Sequence, residues 1–482
     1  MTSHTGLDFK QRSGFFRGLL CIHLLAIAFP LSSSAQIVLP TYLQVVVGTT
    51  SDGANATGCS LRQALATVAT DANVGDCQRQ RLAGDRPNQI LFDAAIVPGQ
   101  IILTQQLDVT ADTAINGPGQ EVFQISGVGA HRIFQVSTAE LVVRNITLTQ
   151  GSAITDGGAI LSDGPVTVSN SRIINSRAAP IGGFGGAIAI ESSGSLFLES
   201  SEIRGCSADF GGGGLSLRGP FEISDSIISN NDAQNGGAIF ATADGTISGS
   251  QIADNNTSLG SSIQVAVANV LVESSTLTAG SGTSEQLISG GADSVLRVSG
   301  SHLQDLSGAT TGVLVLDGPA FINLELTIEN STITGSRGIA AQNFLALLNS
   351  TITVTDTPAL QFFSGATARG RIANSIVVSD GADDCVTNGA TLVENSHNLY
   401  TDGDCTDVQE NLIFADPTLG PLGDNGGPTL TRMPLPGSPA IDTGNLFCPA
   451  TDQRRFTRAD GLCDIGAVEA GATDTLFANG FE

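Results

Sequence analysis

Residues 226–239 read SIISNNDAQNGGAI, and two features of this stretch recur along most of the chain. The first is a Ser followed two positions later by an aliphatic residue. It occurs as Ser171-Arg172-Ile173, Ser201-Glu202-Ile203, Ser226-Ile227-Ile228, Ser250-Gln251-Ile252 and Ser275-Thr276-Leu277. It continues as Ser301-His302-Leu303, Ser331-Thr332-Ile333, Ser350-Thr351-Ile352 and Ser375-Ile376-Val377, with Ser396 a weaker tenth case. Nine steps from Ser171 to Ser396 span 225 residues, a mean period of 25. The second feature is a glycine tetrad: Gly157-Gly158-Ala159-Ile160, Gly185-Gly186-Ala187-Ile188, Gly213-Gly214-Leu215-Ser216 and Gly236-Gly237-Ala238-Ile239. Two out-of-phase elements with one period define one structural unit per repeat.

Within each period apolar residues alternate, as in Val166-Thr167-Val168 and Leu196-Phe197-Leu198. That is the period of a strand, not of a helix. The segments are short and broken by Gly, Asn, Asp and Ser, so each period holds two or three strands separated by turns. The Leu-x-x-Leu-x-Leu frame of leucine-rich repeats is missing, and a propeller blade needs about 40 residues. A parallel β-helix remains, each period one coil, with equivalent strands of successive coils paired in parallel. Inward Ile and Val stack along a narrow interior, Gly permits tight corners, and corner Asn and Ser can pair with open backbone groups. About 290 residues give roughly 11 or 12 coils, a rod of about 55 Å at about 4.8 Å per strand.

Composition agrees. The 482 residues include 58 Gly and no Trp, with 46 acids against 21 bases and a formal net charge of −25. A nucleic-acid binder is excluded, because phosphate neutralisation needs a basic face. Residues 1–35 have the pattern of an export signal: Lys10, Arg12 and Arg17, an apolar core from Leu19 to Leu31, then Ser33-Ser34-Ala35 for cleavage before Gln36. The apolar run is shorter than the about 20 residues a membrane span needs. Removing it takes the only lysine, Lys10, and leaves 18 Arg against 45 acids, a net of −27. Six of the remaining cysteines form three local pairs, Cys59 with Cys77, Cys385 with Cys405, and Cys448 with Cys463. Their spacing is no zinc pattern, and an oxidising compartment makes them disulfides. Cys206 is left over and reads as a small buried filler.

A solenoid must cover its open ends. At one end Cys59-Ser60-Leu61-Arg62-Gln63-Ala64-Leu65 opens a helix: Ser60 and Gln63 form a capping box, and Leu61, Leu65 and Val68 share a face. This heptapeptide resembles the CSLREA motif near the N-terminus of exported bacterial parallel β-helix proteins, and the glycine tetrads resemble the repeats of polymorphic outer membrane proteins. Toward the other end stand Ala415-Asp416-Pro417-Thr418-Leu419-Gly420-Pro421-Leu422, Asp424-Asn425-Gly426-Gly427-Pro428-Thr429 and Pro436-Gly437-Ser438-Pro439-Ala440-Ile441-Asp442. Asp452-Gln453-Arg454 and Asp464-Ile465-Gly466-Ala467-Val468-Glu469 complete the run. It is similar to the choice-of-anchor Q domain, departing from it at Arg455, where Gly is usual. The resemblance implies an exported protein with an all-β, right-handed parallel β-helix of the pectin-lyase-like kind, capped by a helix at its start and by this segment at its end. The expected boundaries are a signal at 1–35, an N-terminal cap at 36–120, β-helix repeats at 121–410, the anchor-like region at 411–470 and a tail at 471–482. The last stretch, Asp474 to Glu482, resembles short tails ending in Gly-Phe-Glu on exported bacterial proteins.

The fold also hosts polysaccharide enzymes, so catalysis has to be sought in residues. The three histidines after the signal, His131, His302 and His397, join no catalytic motif; His131 precedes a strand, and His302 occupies an outward, solvated slot. No paired carboxylate motif is evident, although Asp residues on successive coils could meet by stacking. With Trp absent and only Tyr42 and Tyr400 present, aromatic sugar platforms are scarce. Asp380 with Asp383 and Asp384, and Asp402 with Asp404 and Asp407, offer hard oxygen ligands but match no calcium loop, and acidic surface turns explain them. The expectation is a non-catalytic, exported surface or secreted protein that acts in adhesion or another surface interaction, with no catalytic residue, cofactor or metal. Its partner is a surface ligand, either a polysaccharide or another surface protein. The alternatives are a polysaccharide lyase or hydrolase, and an inert spacer.

Overall fold

Each sequence period is one coil of a parallel β-helix. The computed structural model describes residues 40–53, 56–179, 182–279, 286–291, 293–306, 314–316, 324–363, 368–402, 405, 412–445, 448–458 and 462–472. The expected export signal and the tail from Asp474 lie outside them. The coil holding the quoted stretch shows the plan: Phe221–Ser224, Ile227–Ser229, Asp232–Ala233 and Ile239–Ala241 are four short strands separated by turns. Equivalent strands stack into sheets of 15, 14, 5 and 12 strands, here called A, B, D and C in that order around the coil. Among the described residues the short sheet D has a strand in five coils.

Sheet B shows what holds the stack together. Ile173, Ile203, Ile228, Ile252, Leu277, Leu303, Ile333, Ile352 and Val377 stand in register on successive strands. None is more than 1% exposed. Each such side chain contributes about 1.5–3 kcal/mol by leaving water.

The recurrent Ser precedes each of these strands and forms a buried ladder. From Ser171 through Ser350, each backbone N–H donates to the hydroxyl of the next coil's Ser at 3.1–3.2 Å. Each hydroxyl donates in turn to the carbonyl two residues back. The residue before each Ser has a φ of 46–58°, which explains Asn170, Asn330, Asn349 and Asn374, since Asn tolerates the left-handed region. The final step is taken by Asn398, whose Oδ1 accepts from the Ser375 N–H at 2.8 Å. The tenth member is therefore Asn398 and not Ser396. Ladder steps vary from 19 to 30 residues, because coil length changes in the loops without disturbing the corner.

The glycine tetrads open the strands of sheet C. Their first residues, Gly157, Gly185, Gly212 and Gly236, have φ of 58–69°. Ile188 pairs with Leu215 and Leu215 with Ile239, so the third tetrad is Gly212-Gly213-Gly214-Leu215, one residue earlier than its sequence suggests. At the second position a side chain has no room: a Cβ on Gly158 would lie 2.2 Å from the Gly186 carbonyl oxygen.

At the N-terminal end, α1 (Leu61–Thr70) has the expected capping box between Ser60 and Gln63. Leu61, Ala64, Leu65 and Val68 join the main core, covering the start of the solenoid. Arg62 explains the motif around it, donating to the Asp52 carboxylate and to the Gln105 and Gln106 carbonyls, each at 2.8 Å. Cys59 is bonded to Cys77, Cys385 to Cys405 and Cys448 to Cys463.

The C-terminal segment takes the form of a strap along the flank. Beyond the two-residue strand Ile413–Phe414 it is irregular, crossing the outer face of sheet B. Outward residues of early coils on that face are polar apart from Ile227, as in Arg172, Glu202 and Gln251, whereas late coils present Ile376, Val378 and Leu399. Ala440 and Ile465 cover these three. The strap supplies the apolar contact that the late coils need.

Candidate functional site

The terminal motifs singled out in the sequence are the fasteners of this strap. Gln453 donates to the Ser301 carbonyl and the Thr429 hydroxyl, and accepts from the Thr332 hydroxyl at 2.6 Å. Asp452 accepts from the Arg454 guanidinium at 2.7 Å and from the Glu469 N–H at 3.1 Å. Arg458 is bonded to the Glu469 carboxylate at 2.8 Å and reaches Asn330 on the coil flank. The Gly466 and Ala467 N–H groups donate to the Asn374 carbonyl and the Thr351 hydroxyl. Arg455, the departure from the resembled motif, has φ of 70° and bonds to Ser274, so it extends the strap by one more coil. These residues hold structure; their charges are spent on one another.

His302 is under the strap. Expected as a solvated residue, it is fully buried, because Thr429 and Gln453 bind the adjoining Gly300 and Ser301 carbonyls. Its Nε2 pairs with the Thr334 hydroxyl at 3.1 Å and its Nδ1 has no partner. Burial lowers its pKa to about 4.

Beside the strap runs a groove of about 470 Å³. Its floor is the next outward column of sheet B, where Gln304, Thr334 and Thr353 stack on successive strands. Leu422 and Arg432 of the strap form its wall. Asp305 lines one side, but its oxygens accept from Ser336 and from the fully buried Arg337 guanidinium. Two groups in the groove carry buried polar atoms without partners: the Thr353 hydroxyl and the Arg432 Nε. Sequence reading missed both. The available signal was the duplicated Ser-Thr-Ile-Thr at 331–334 and 350–353, which stacks outward threonines.

A second cavity, of about 260 Å³, lies over sheet D. Small inward alanines, Ala178, Ala208 and Ala233, keep that side of the coil shallow. Arg177, Asp209 and Asp232 line the cavity. Phe210 follows Asp209 and packs on Phe184 at 5.0 Å, which also meets Phe240 at 5.5 Å. Arg218 lies 4.8 Å over the Phe184 ring and pairs with Asp156 and Glu191. An aromatic surface cluster therefore exists, made of Phe and not of the Tyr or Trp sought in the sequence.

The remaining candidates are structural where described. Asp384 is fully buried and accepts from the Ser379 N–H at 2.6 Å, the Thr401 hydroxyl at 2.8 Å and the Asp402 N–H at 3.0 Å. Asp404 and Asp407 lie outside the described residues, among which no group of three acids, His or Cys is arranged for a metal. Cys206 belongs to a second corner ladder: its Sγ accepts from the Ser176 N–H and its own N–H donates to Asn231. Burial pushes its thiol up to about 12, which leaves no thiolate. His131 has a turn role, its carbonyl accepting from the Ser152 N–H, and His397 holds the left-handed corner before Asn398.

The family model described as "Right handed beta helix region" matches residues 159–332. No curated protein matches the chain. Among solved structures, the crystal structure of pectate lyase Pel9A is similar over 88% of this chain and 96% of that one, at 12% identity and a TM-score of 0.37. The matched repeats and the observed coils make this chain a right-handed parallel β-helix protein.

Proposed function

We propose that the chain is an exported, non-catalytic β-helix protein, displayed on or released from the cell surface, that acts in adhesion by holding a surface polysaccharide. The observation that carries this reading is the state of its buried carboxylates. Among the described residues Asp52, Asp305, Asp384, Asp452, Asp464 and Glu469 are buried, and each is engaged by an Arg or by several N–H and O–H donors. A general acid or base needs a carboxyl group able to exchange its proton with substrate. The signal-like residues 1–35 and three disulfides support export, and no helix among the described residues is long and apolar enough to cross a membrane.

The alternative, a polysaccharide lyase or hydrolase, is favoured by one observation: Arg177, Asp209 and Asp232 share the cavity over sheet D. Affinity chromatography of the exported protein on immobilised acidic and neutral polysaccharides tests the binding reading. Retention is expected; passage through every matrix would leave the inert spacer. Fractionating cells that express the chain with and without residues 474–482 tests the surface location and the part played by the tail.

A further inference from the structure

We propose that the outer face of sheet D is the interface of a symmetric dimer, in which a second copy of this chain packs against the first with the two rods antiparallel. This inference goes beyond the adhesion reading and does not depend on it.

The face is its own complement. Ser152, Arg177, Ser207, Asp232 and Asn256 stand in register on the five strands and form its outward column. In order they read polar, cation, Ser, anion, polar, centred on Ser207. A two-fold axis lying in the interface along the Ser207–Ala208 strand reverses the order of the coils between the copies. It sets Arg177 opposite the partner's Asp232, Asp232 opposite the partner's Arg177, and Ser152 opposite the partner's Asn256. Within one copy the two charges do not meet: they line the same cavity two strands apart, about 10 Å. Both are exposed, and neither makes an ion pair among the described residues; Asp232 accepts from the Asn256 amide.

Apolar residues obey the same symmetry. Ile154, Phe210 and Leu259 lie within two residues of the strand ends on the first, third and fifth of these coils, and are 78%, 43% and 74% exposed. The axis exchanges the first and fifth coils, so Ile154 comes beside the partner's Leu259 while Phe210 meets its own image. The Phe184 ring, at 5.0 Å, holds Phe210 for this contact. One feature opposes it: Asp209 also meets its own image, although it accepts from the Gly182 N–H at 2.8 Å and has Arg177 on the neighbouring strand of each copy. Parallel rods would instead set Arg177 against Arg177 and Asp232 against Asp232, which disfavours that arrangement. Four strand spacings give about 19 Å of contact along the rod, a small interface, so the dimer belongs in the micromolar range. The overall charge of −25 opposes association at long range, and salt that screens beyond about 8 Å leaves the contacting pairs to decide it.

Sedimentation equilibrium of the full exported protein, loaded from about 1 to about 200 µM in about 0.15 M salt, tests the interface. A monomer–dimer equilibrium within that range is expected. Arg177→Asp and Asp232→Arg should each weaken association about tenfold or more, because either substitution sets like charges against each other twice per dimer. Mixed in equal amounts, the two variants should associate as the wild type does, since each supplies the charges that the other lacks. Phe210→Ser should weaken association several-fold, and the control Arg297→Asp, an exposed residue of sheet A, should leave it unchanged. A wild type that stays monomeric throughout, a dimer indifferent to Arg177→Asp, or a mixture that associates no better than its components overturns the proposal. None of these results touches the adhesion reading, which polysaccharide retention tests separately. Circular dichroism checks that the coils remain, and Phe210→Ser decides the matter should a charge reversal disturb them.

Discussion

Lowering the pH from 7 toward 4 should loosen the strap, because His302 beneath it is held neutral by burial. In the folded chain its ring is fully buried, neutral and held at a pKa of about 4. Once the strap lifts, the ring meets water and returns to its ordinary value of 6.5. The open state therefore binds a proton that the closed state refuses, and closure loses free energy as pH falls from 6.5 to 4. A shift of that size corresponds to about 3 kcal/mol, at about 1.4 kcal/mol per pH unit. Below about 4 both states are protonated and the loss stops growing. Hydrogen exchange of the Gly466 and Ala467 amides, which donate to Asn374 and Thr351, reports closure directly. Wild type and His302→Gln should differ in their pH slope by about 1.4 kcal/mol per unit between 4 and 6.5, which cancels titrations common to both. Identical slopes, or a His302 ring titrating near 6.5 by NMR, would refute the burial argument.

Other expectations follow from the coil and its fasteners. Gln453→Ala removes the bonds to Ser301, Thr332 and Thr429 together, should cost about 3 kcal/mol, and should expose the strap to limited proteolysis while the coils remain intact. Ile252→Ala opens a hole in the sheet B stack and should cost about 2–5 kcal/mol by urea unfolding; a smaller loss would mean the column repacks. Gly158→Ala brings a methyl group within 2.2 Å of a carbonyl oxygen of the next coil and should prevent accumulation of folded protein, read as soluble yield and circular dichroism. Mass spectrometry of the unreduced exported protein, from which Cys21 leaves with the signal, should find three bridges and one unreactive thiol, at Cys206, that alkylates only after unfolding.

What the sequence makes legible is local. The Ser-x-aliphatic repeat names the ladder and the buried column because both depend on residues two apart at one corner. The Cys59–Leu65 heptapeptide names a capped helix for the same reason. Errors arise where residue types substitute for one another or run together. Asn398 offers an oxygen in place of a Ser hydroxyl, so a search for Ser stops at Ser396. Four consecutive glycines at 211–214 leave the third tetrad without a unique frame until strand pairing fixes it. The flank is the least legible part. His302 alternates outward as a strand pattern requires, yet it is covered by residues more than 120 positions later. Arg432 and Thr353 line one groove only because the strap folds back, and no spacing in the chain announces that return.

A protein built to bind holds its polysaccharide without cutting it. Prolonged incubation of the exported protein with the polysaccharides it retains, followed by chain-length analysis of the recovered material, tests this most directly. Unchanged chain length, with the polysaccharide still bound, is expected. Shortened chains or new unsaturated or reducing ends, abolished by Asp209→Asn or Asp232→Asn, would contradict it and move the active centre to the cavity over sheet D.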